Sequence, residues 1–497
     1  MNLVYADKPR CHCAVFGVCG TPHASRLACE GLMALQHRGQ EASGIVSAWR
    51  DPATGSVRFR SHRDLGLVSD VYREERILNE LLAGEAAIGH NRYSTAGASG
   101  NKANIQPFSV IYKGGNLAIA HNGNLTNFRG LRTRLQEEGT IFQTTSDTEV
   151  ILHLIARSSS PSRIGQIRDA LRQVRGAYSL VILTDEALVA ARDPRGFRPL
   201  AIGKKGNAWF VASETCGFDI VDVECVRDVA PGEMVVFDYA AGPDAGPASL
   251  RIQDAPPPPP RFCIFEYIYF SRPDSRVFGH SVDKVRRKLG KNLARARPVH
   301  PAAPGEKQIV ISVPDSSNTA TMGFVQQTVK DGGLARLEIG LIRSHYVGRT
   351  FIQPRQQVRA NDVKTKFNTV RGVLQDRVVV IVDDSIVRGT TSRQLVQLIR
   401  QAGPKEVHFR VTSPPIRYPC HYGMDFPTSG ELIANMHDGN PEAIARSIGA
   451  DTLEYLPMED LLSAMPTESG EQYCTACFDG HYPVEVEENR LKEEHEA

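Results

Sequence analysis

Apolar residues in the first half of the chain come in short runs of strand length, several closed by turn residues. "LAIAHNGNL" (117–125), "SLVILTD" (179–185), "ALVAARD" (187–193), "WFVASE" (209–214) and "EMVVFDY" (233–239) each read as a β-strand. Between the first two, "TTSDTEVILHLIARS" (144–158) changes period. Val150, Ile151, Leu154 and Ile155 recur at helical spacing and predict an amphipathic helix. The second half has a different rhythm. "KQIVISVPDSS" (307–317) and "RVVVIVDDS" (377–385) are continuous apolar strands followed by helix-like segments, and "KEVHFRVTSPP" (405–415) adds a third strand. Strand, loop and helix in alternation predict a parallel sheet covered by helices on both faces. Five prolines, Pro256 to Pro260, separate the halves. Such a run enters neither a helix interior nor a central strand and favours an extended spacer. The last stretch, "VEVEENRLKEEHEA" (484–497), reads as a solvated charged terminus.

Composition narrows the classes. A chain of 497 residues has room for two or three domains, and 41% hydrophobic with 23% charged residues is ordinary for a globular protein. Lys+Arg 58 against Asp+Glu 56 leaves no electrostatic footprint for a nucleic-acid or acidic-membrane partner. No apolar run approaches the roughly 18 residues that span a bilayer. Asp7, Lys8, Pro9 and Arg10 interrupt any signal-peptide core, so the expected location is the cytoplasm. There the ten cysteines point to metal ligation or catalysis rather than disulfides. "RCHCAVFGVCG" crowds Cys11, Cys13 and Cys19 near the start of the chain. Ligation, burial and nucleophilic catalysis all fit that stretch by itself.

The most informative stretch of the second half is "RVVVIVDDSIVRGTTSRQLVQLIRQAG" (377–403). Asp383 and Asp384 close a core strand, where open α/β sheets place ligands. A loop with Arg388 and Gly389 follows. Thr390, Thr391 and Ser392 open a helix whose Leu395, Val396 and Ile399 face inward, and Gly403 with Pro404 stops it. A glycine followed by hydroxyl residues at a helix N-terminus suits a phosphate. The paired carboxylates suit ribose hydroxyls or a metal, though an N-capped helix after a strand would show the same local pattern. "VVVIVDDSIVRGTT" resembles the phosphoribosyl-pyrophosphate (PRPP) signature of the type I phosphoribosyltransferases throughout. That resemblance implies that Asp383 and Asp384 hold the ribose 2- and 3-hydroxyls and a magnesium ion. It also puts Ser385 in the PRPP site and wraps Arg388, Gly389, Thr390 and Thr391 around the 5-phosphate.

"CAVFG" from Cys13, "LQHRGQEASGI" (35–45), "IGHNRYSTAG" (88–97), "AHNGNLTN" (120–127) and "TTSDTEV" (144–150) follow in order, with "RDPRGFRPL" and "VASETC" beyond them. Together they resemble the glutaminase domain of the N-terminal-nucleophile amidotransferases from Cys13 to about Asp238. With the PRPP signature, the whole chain resembles the amidophosphoribosyltransferase family. The implied fold is an αββα sandwich followed by a type I phosphoribosyltransferase α/β domain. The implied layout is a propeptide (1–12), a glutaminase domain (13–250), a Pro-rich linker (251–261), a phosphoribosyltransferase domain (262–465) and a C-terminal segment (466–497). The chemistry explains the propeptide. A free thiol is only a few per cent thiolate at neutral pH. The α-amine of Cys13, with a pKa near 8, can act as base only outside a peptide bond. By the same resemblance, the Asn122 amide and Gly123 N–H form an oxyanion hole, and Arg92 and Asp147 clamp the glutamine α-carboxylate and α-ammonium. Ala14 stands where the family commonly has glycine, and Cys11–His12 stand where processed relatives often carry acidic residues. Cys19, Cys29, Cys216 and Cys225 read as buried small apolar residues.

Four cysteines remain. Cys474 and Cys477 form a CxxC pair, Cys263 lies in "RFCIFEYIYFSRPDS" and Cys420 in "YPCHYGMDFP". A lone CxxC fits redox chemistry, zinc or nothing. The local contexts resemble the subclass carrying a [4Fe–4S] cluster, which implies that all four are ligands pinning the C-terminal segment onto both domains. "VPDSSNTA" (313–320) implies Ser316 near magnesium. "SHYVGRTFIQP" (344–354) resembles a loop that closes over PRPP, with Arg349 and Lys366 offering cations to the pyrophosphate. Glutamine and PRPP are the implied substrates, with one Mg²⁺ per subunit, feedback inhibition by purine nucleotides, a homotetramer and an apolar route for ammonia. Two other readings are a different glutamine-dependent synthase and a PRPP-binding regulator. The PRPP signature opposes the first; the near-neutral charge and complete glutaminase half oppose the second.

Overall fold

Residue alternation builds the first half. Strand β1 (Ala14–Cys19) sends Ala14, Phe16 and Val18 to one face and Val15 and Cys19 to the other, and the whole strand is buried. It lies in a seven-stranded antiparallel sheet with β2 (Ala42–Arg50), β3 (Val57–Leu65), β4 (Ala86–Arg92), β9 (Ala201–Lys205), β10 (Ala208–Ala212) and β11 (Glu224–Asp228). The order is β11-β9-β10-β1-β4-β2-β3. A six-stranded antiparallel sheet holds β5 (Phe108–Tyr112), β6 (Gly115–Leu125), β7 (Gly176–Thr184), β8 (Ala187–Arg192), β12 (Glu233–Asp238) and β13 (Ala248–Arg251), in the order β13-β12-β8-β7-β6-β5. This computed structural model describes residues 13–93, 101–241, 245–303, 305–344, 367–467 and 471–487.

Between the sheets, Val15, Val46 and Ile88 meet Ala118, Ala120, Val181 and Leu183. On the outer face of the first sheet, Phe16 and Val18 pack on Ala28 and Leu32 of the helix Ala24–Ala34. On the outer face of the second, Leu117, Ile119, Leu180 and Ile182 pack on the helix Thr148–Arg157 through Val150, Ile151, Leu154 and Ile155. The expected αββα sandwich is present, and the four residues of the helical stripe are all buried.

The second half is a five-stranded parallel sheet. From edge to edge its strands are Ala335–Leu337, Gln308–Ser312, Val378–Asp383, Glu406–Val411 and Thr452–Tyr455. Val310, Val380 and Val382 face the helices Val282–Ala296 and Asn318–Lys330. Ile309, Ile311, Val379 and Ile381 face the helices Thr390–Arg400 and Pro441–Ile448. Both faces are covered, which is why these strands read as unbroken apolar runs.

Two connecting segments are anchored to the domains. The proline run is tied down, because Arg195 Nη1 donates to Pro259 O at 2.9 Å and Arg261 N to Arg195 O at 2.8 Å. The start of the charged tail is also docked. Tyr422 Oη donates to Val484 O at 2.7 Å, and Gly130 N donates to Glu487 Oε2 at 3.1 Å.

Candidate active site

Cys13 stands immediately before β1, with φ 52. Its carbonyl accepts from Arg38 Nε at 3.5 Å. Burial pushes the thiol up to about 11, although a backbone hydrogen bond at Tyr93 and the Arg92 guanidinium pull the other way. Asp147 also acts on the thiol, so Cys13, Arg92 and Asp147 share one electrostatic neighbourhood. Burial alone would raise the Asp147 carboxyl. His121, 3.7 Å away, and the Leu125 N–H, which donates at 2.9 Å, outweigh it and hold the carboxyl below its ordinary value. His121 also ties the sheets together, since its carbonyl pairs with His90 Nε2 at 3.1 Å. Asn122 and Gly123 follow it on β6, Asn122 fully buried. Gly123 has φ 153, and a Cβ there would overlap the Ala177 carbonyl, so only glycine fits.

The acidic pair sits at the carboxyl end of the central parallel strand, both residues 1% exposed. Two hydroxyls from the neighbouring strand's loop hold it. Ser316 Oγ donates to Asp384 Oδ2 at 2.5 Å and Ser317 Oγ to Asp383 Oδ1 at 3.1 Å. Ser385 Oγ donates to Asp384 Oδ1 at 2.7 Å. Every donor group here is oxygen, which suits a hard divalent cation. Gly389 caps the helix Thr390–Arg400 with φ 79 and brings no side-chain cap. A Cβ at Gly389 would strike Ile433 Cδ1. Arg388 Nε reaches Glu431 Oε1 at 3.4 Å. Arg349 and Lys366 lie outside the described residues, as do residues 1–12.

The four remaining cysteines converge from three segments. Phe262–Cys263 pairs in parallel with Tyr473–Cys474, register Cys263 to Cys474. The Cys477 carbonyl accepts from Arg417 N and Tyr418 N at 2.9 and 3.1 Å, which brings in the Cys420 loop. Tyr422 N donates to Cys420 Sγ at 3.3 Å. Burial pushes up the Cys263, Cys474 and Cys477 thiols, and the cysteines reinforce this on one another. Among the described residues, three potential metal-ligating atoms come within 4.8 Å of one another only at His37, Glu214 and Cys216.

The His37 group is filled by protein donors. Glu214 takes His37 Nε2 at 2.8 Å, Arg38 Nη1, Ser275 Oγ at 2.7 Å and Arg272 N at 2.9 Å. With a cation and three more donors in place, its carboxylate has no call for a metal. Arg38, Glu214 and Glu266 were missed as functional candidates by the sequence reading. They stand inside motifs quoted for other residues, but nothing local says that they are buried together. Cys19, Cys29 and Cys216 are buried as expected, whereas Cys225 is exposed, because it lies on edge strand β11. No disulfide joins the nine cysteines of the described residues. No helix among those residues is long and apolar enough to cross a membrane.

A glutamine amidotransferase domain family matches residues 90–219. The chloroplastic amidophosphoribosyltransferase of Vigna aconitifolia is 48% identical over 482 residues, covering 97% of this chain and 93% of that protein. A solved structure described as the allosteric regulatory enzyme of purine biosynthesis superposes with a TM-score of 0.87 at 43% identity, covering 97% of this chain and 99% of the other. The glutamine PRPP amidotransferase of B. subtilis, solved with ADP and GMP, gives 0.84 at 42% identity with the same coverage.

Proposed function

The chain belongs to the amidophosphoribosyltransferase family, and from that premise we propose which of its residues carry each half of the reaction. The enzyme moves the amide nitrogen of glutamine to C1 of PRPP, giving 5-phosphoribosylamine and pyrophosphate, the first committed step of purine synthesis. In our reading residues 1–12 are removed, and the freed α-amine of Cys13 takes the thiol proton. The sulfur attacks the glutamine amide. Asn122 and Gly123 receive the developing oxyanion, worth about 3 kcal/mol for each donor. Arg92 and Asp147 hold the α-carboxylate and α-ammonium. Ammonia leaves, and water releases glutamate from the thioester.

Asp383, Asp384, Ser385, Arg388, Gly389, Thr390 and Thr391 hold PRPP in this reading, helped by Arg349 and Lys366. Ser316 and the acidic pair would hold Mg²⁺, which when bound offsets charge on the leaving pyrophosphate. Cys263, Cys420, Cys474 and Cys477 would hold a [4Fe–4S] cluster as a structural pin. Domain limits of 13–250 and 262–465, joined by 251–261 and followed by 466–497, belong to the same proposal. So do the homotetramer, the cytoplasmic location and purine-nucleotide inhibition, the last supported by the ADP and GMP complex of the B. subtilis relative.

The observation that carries the reading is the opposite charges of Arg92 and Asp147 acting on a thiol that immediately precedes a buried strand. The test is Cys13→Ala. It should abolish glutamate release and glutamine-dependent product while ammonium chloride still supports pyrophosphate release from PRPP. Intact mass should show the wild-type chain beginning at Cys13. Retained glutamine-dependent synthesis in Cys13→Ala, or full activity with residues 1–12 attached, would refute it.

A further inference from the structure

Gln106 stands two residues before β5 and bridges two sets of residues assigned above to glutamine. Its Oε1 accepts from the main-chain N–H of His121 at 2.8 Å, one residue ahead of Asn122 and Gly123. Its Nε2 donates to Thr148 Oγ1 at 3.1 Å. Thr148 Oγ1 in turn donates to Asp147 Oδ1 at 3.2 Å. His121 Nδ1 meets the same hydroxyl at 3.0 Å, and Leu125 N donates to Asp147 Oδ2 at 2.9 Å. Gln106, His121 and Thr148 are all buried. The mount of Gln106 is itself firm. Arg63 Nη1 donates to Ile105 O at 2.7 Å, and a Cβ at Gly44 would strike the Gln106 carbonyl, so β2 packs directly on this segment. A buried side chain bonded at both ends acts as a fixed spacer, because breaking either bond leaves an unpaired buried group.

That spacing has a chemical consequence. One end of the bridge holds the carboxylate assigned to the substrate's α-ammonium. The other holds the strand whose next two residues are assigned to the amide oxyanion. The distance between the ends sets how many carbons fit between Cα and the reacting amide. Glutamine has two methylenes there and asparagine one, a difference of about 1.5 Å. Misplacing a reacting carbon by ~1 Å can cost about 100-fold in rate. We propose that Gln106 and Thr148 are specificity-determining positioning residues, a buried ruler that fits the site to glutamine and rejects the shorter asparagine. This goes beyond the assignment of Asn122, Gly123 and Asp147 and rests on it.

Two variants test it on the full chain. Gln106→Met keeps the length of the side chain and removes both of its hydrogen bonds. Thr148→Val keeps the shape and removes the hydroxyl, and it decides if Gln106→Met fails to fold. Thr148→Ser keeps the hydroxyl and is the conservative control. Glutamate release from glutamine and aspartate release from asparagine are measured over a range of concentrations. Pyrophosphate release from PRPP with ammonium chloride checks that the second half is intact. The wild type should favour glutamine by about 100-fold or more in kcat/KM. In Gln106→Met and Thr148→Val that preference should shrink about tenfold, with ammonia-dependent release little altered. In Gln106→Met the loss should fall on kcat, with the KM for glutamine changed by less than about threefold. Thr148→Ser should keep the wild-type preference. A merely structural defect lowers the active fraction and leaves the ratio of the two substrates as it was. A wild type that hydrolyses asparagine as well as glutamine, an unchanged preference in either folded variant, or the same shift in Thr148→Ser as in Thr148→Val overturns the proposal. A wild type that releases no glutamate would instead defeat the site assignment beneath it.

Discussion

At the scale of single residues, Cys13 sets the terms. A thiol raised to about 11 is on the order of 0.1% ionised at pH 8, so sulfur alone cannot supply the nucleophile. The sign is set by burial, which penalises the thiolate more than Arg92 favours it. Iodoacetamide alkylation of Cys13 in the chain that keeps residues 1–12 should therefore keep rising between about pH 8 and pH 10. A plateau near the ordinary thiol value of about 8.5 would contradict the burial argument. The residues proposed as nucleophile, oxyanion pair and substrate clamp each sit in a short motif that the sequence shows directly. Glu266 is not read that way. Its pairing comes from Arg38 and Arg198, at 2.8 and 3.2 Å, which lie 228 and 68 positions away in sequence. Burial alone would raise its carboxyl, and Arg38 and Arg198 outweigh that and keep it ionised. Such a pairing leaves no local trace.

At the scale of elements, apolar runs marked five strands of the first half and the three central strands of the parallel sheet. Apolar runs of strand length marked β6, β7 and β8, and the stripe Val150–Ile155 marked the helix that covers them. The parallel strands showed themselves by unbroken apolar runs. The edge strands were less visible. β11 buries none of its first four residues, so it carries no alternation to read, and Cys225 was misplaced with it. The turn at Gly389 is the most demanding junction. It needs a positive φ and has Ile433 against its missing Cβ. Gly389→Ala should lower stability by about 1–3 kcal/mol and raise the KM for PRPP more than that for glutamine. Ile433→Ala in the same chain should recover the steric part but not the part due to φ. Thermal melting and the two KM values separate them; recovery of both would mean that backbone strain contributes nothing.

At the scale of the whole molecule, the two halves are joined by buried contacts rather than by the linker alone. Asn124, just past the oxyanion pair, donates to His421 O at 2.9 Å, and Arg198 donates to Tyr422 O at 3.2 and 3.1 Å. Both acceptors lie within two residues of Cys420, so the Cys420 loop and the first half of the chain share a boundary. Stripping a cluster from the four cysteines should expose residues 471–487 to limited proteolysis and depress glutamine-dependent turnover more than ammonia-dependent turnover. Equal losses, or a protease-resistant C-terminal segment, would mean that the cluster does not pin this boundary. The pairing of Cys263 with Cys474 also fixes an order of events during synthesis. Cys263 and Cys420 leave the ribosome well before Cys474 and Cys477, so both globular halves can be shaped while half of the thiol set is still untranslated. Loading of the proposed cluster would therefore be a finishing step, carried out on a chain whose domains already have their form.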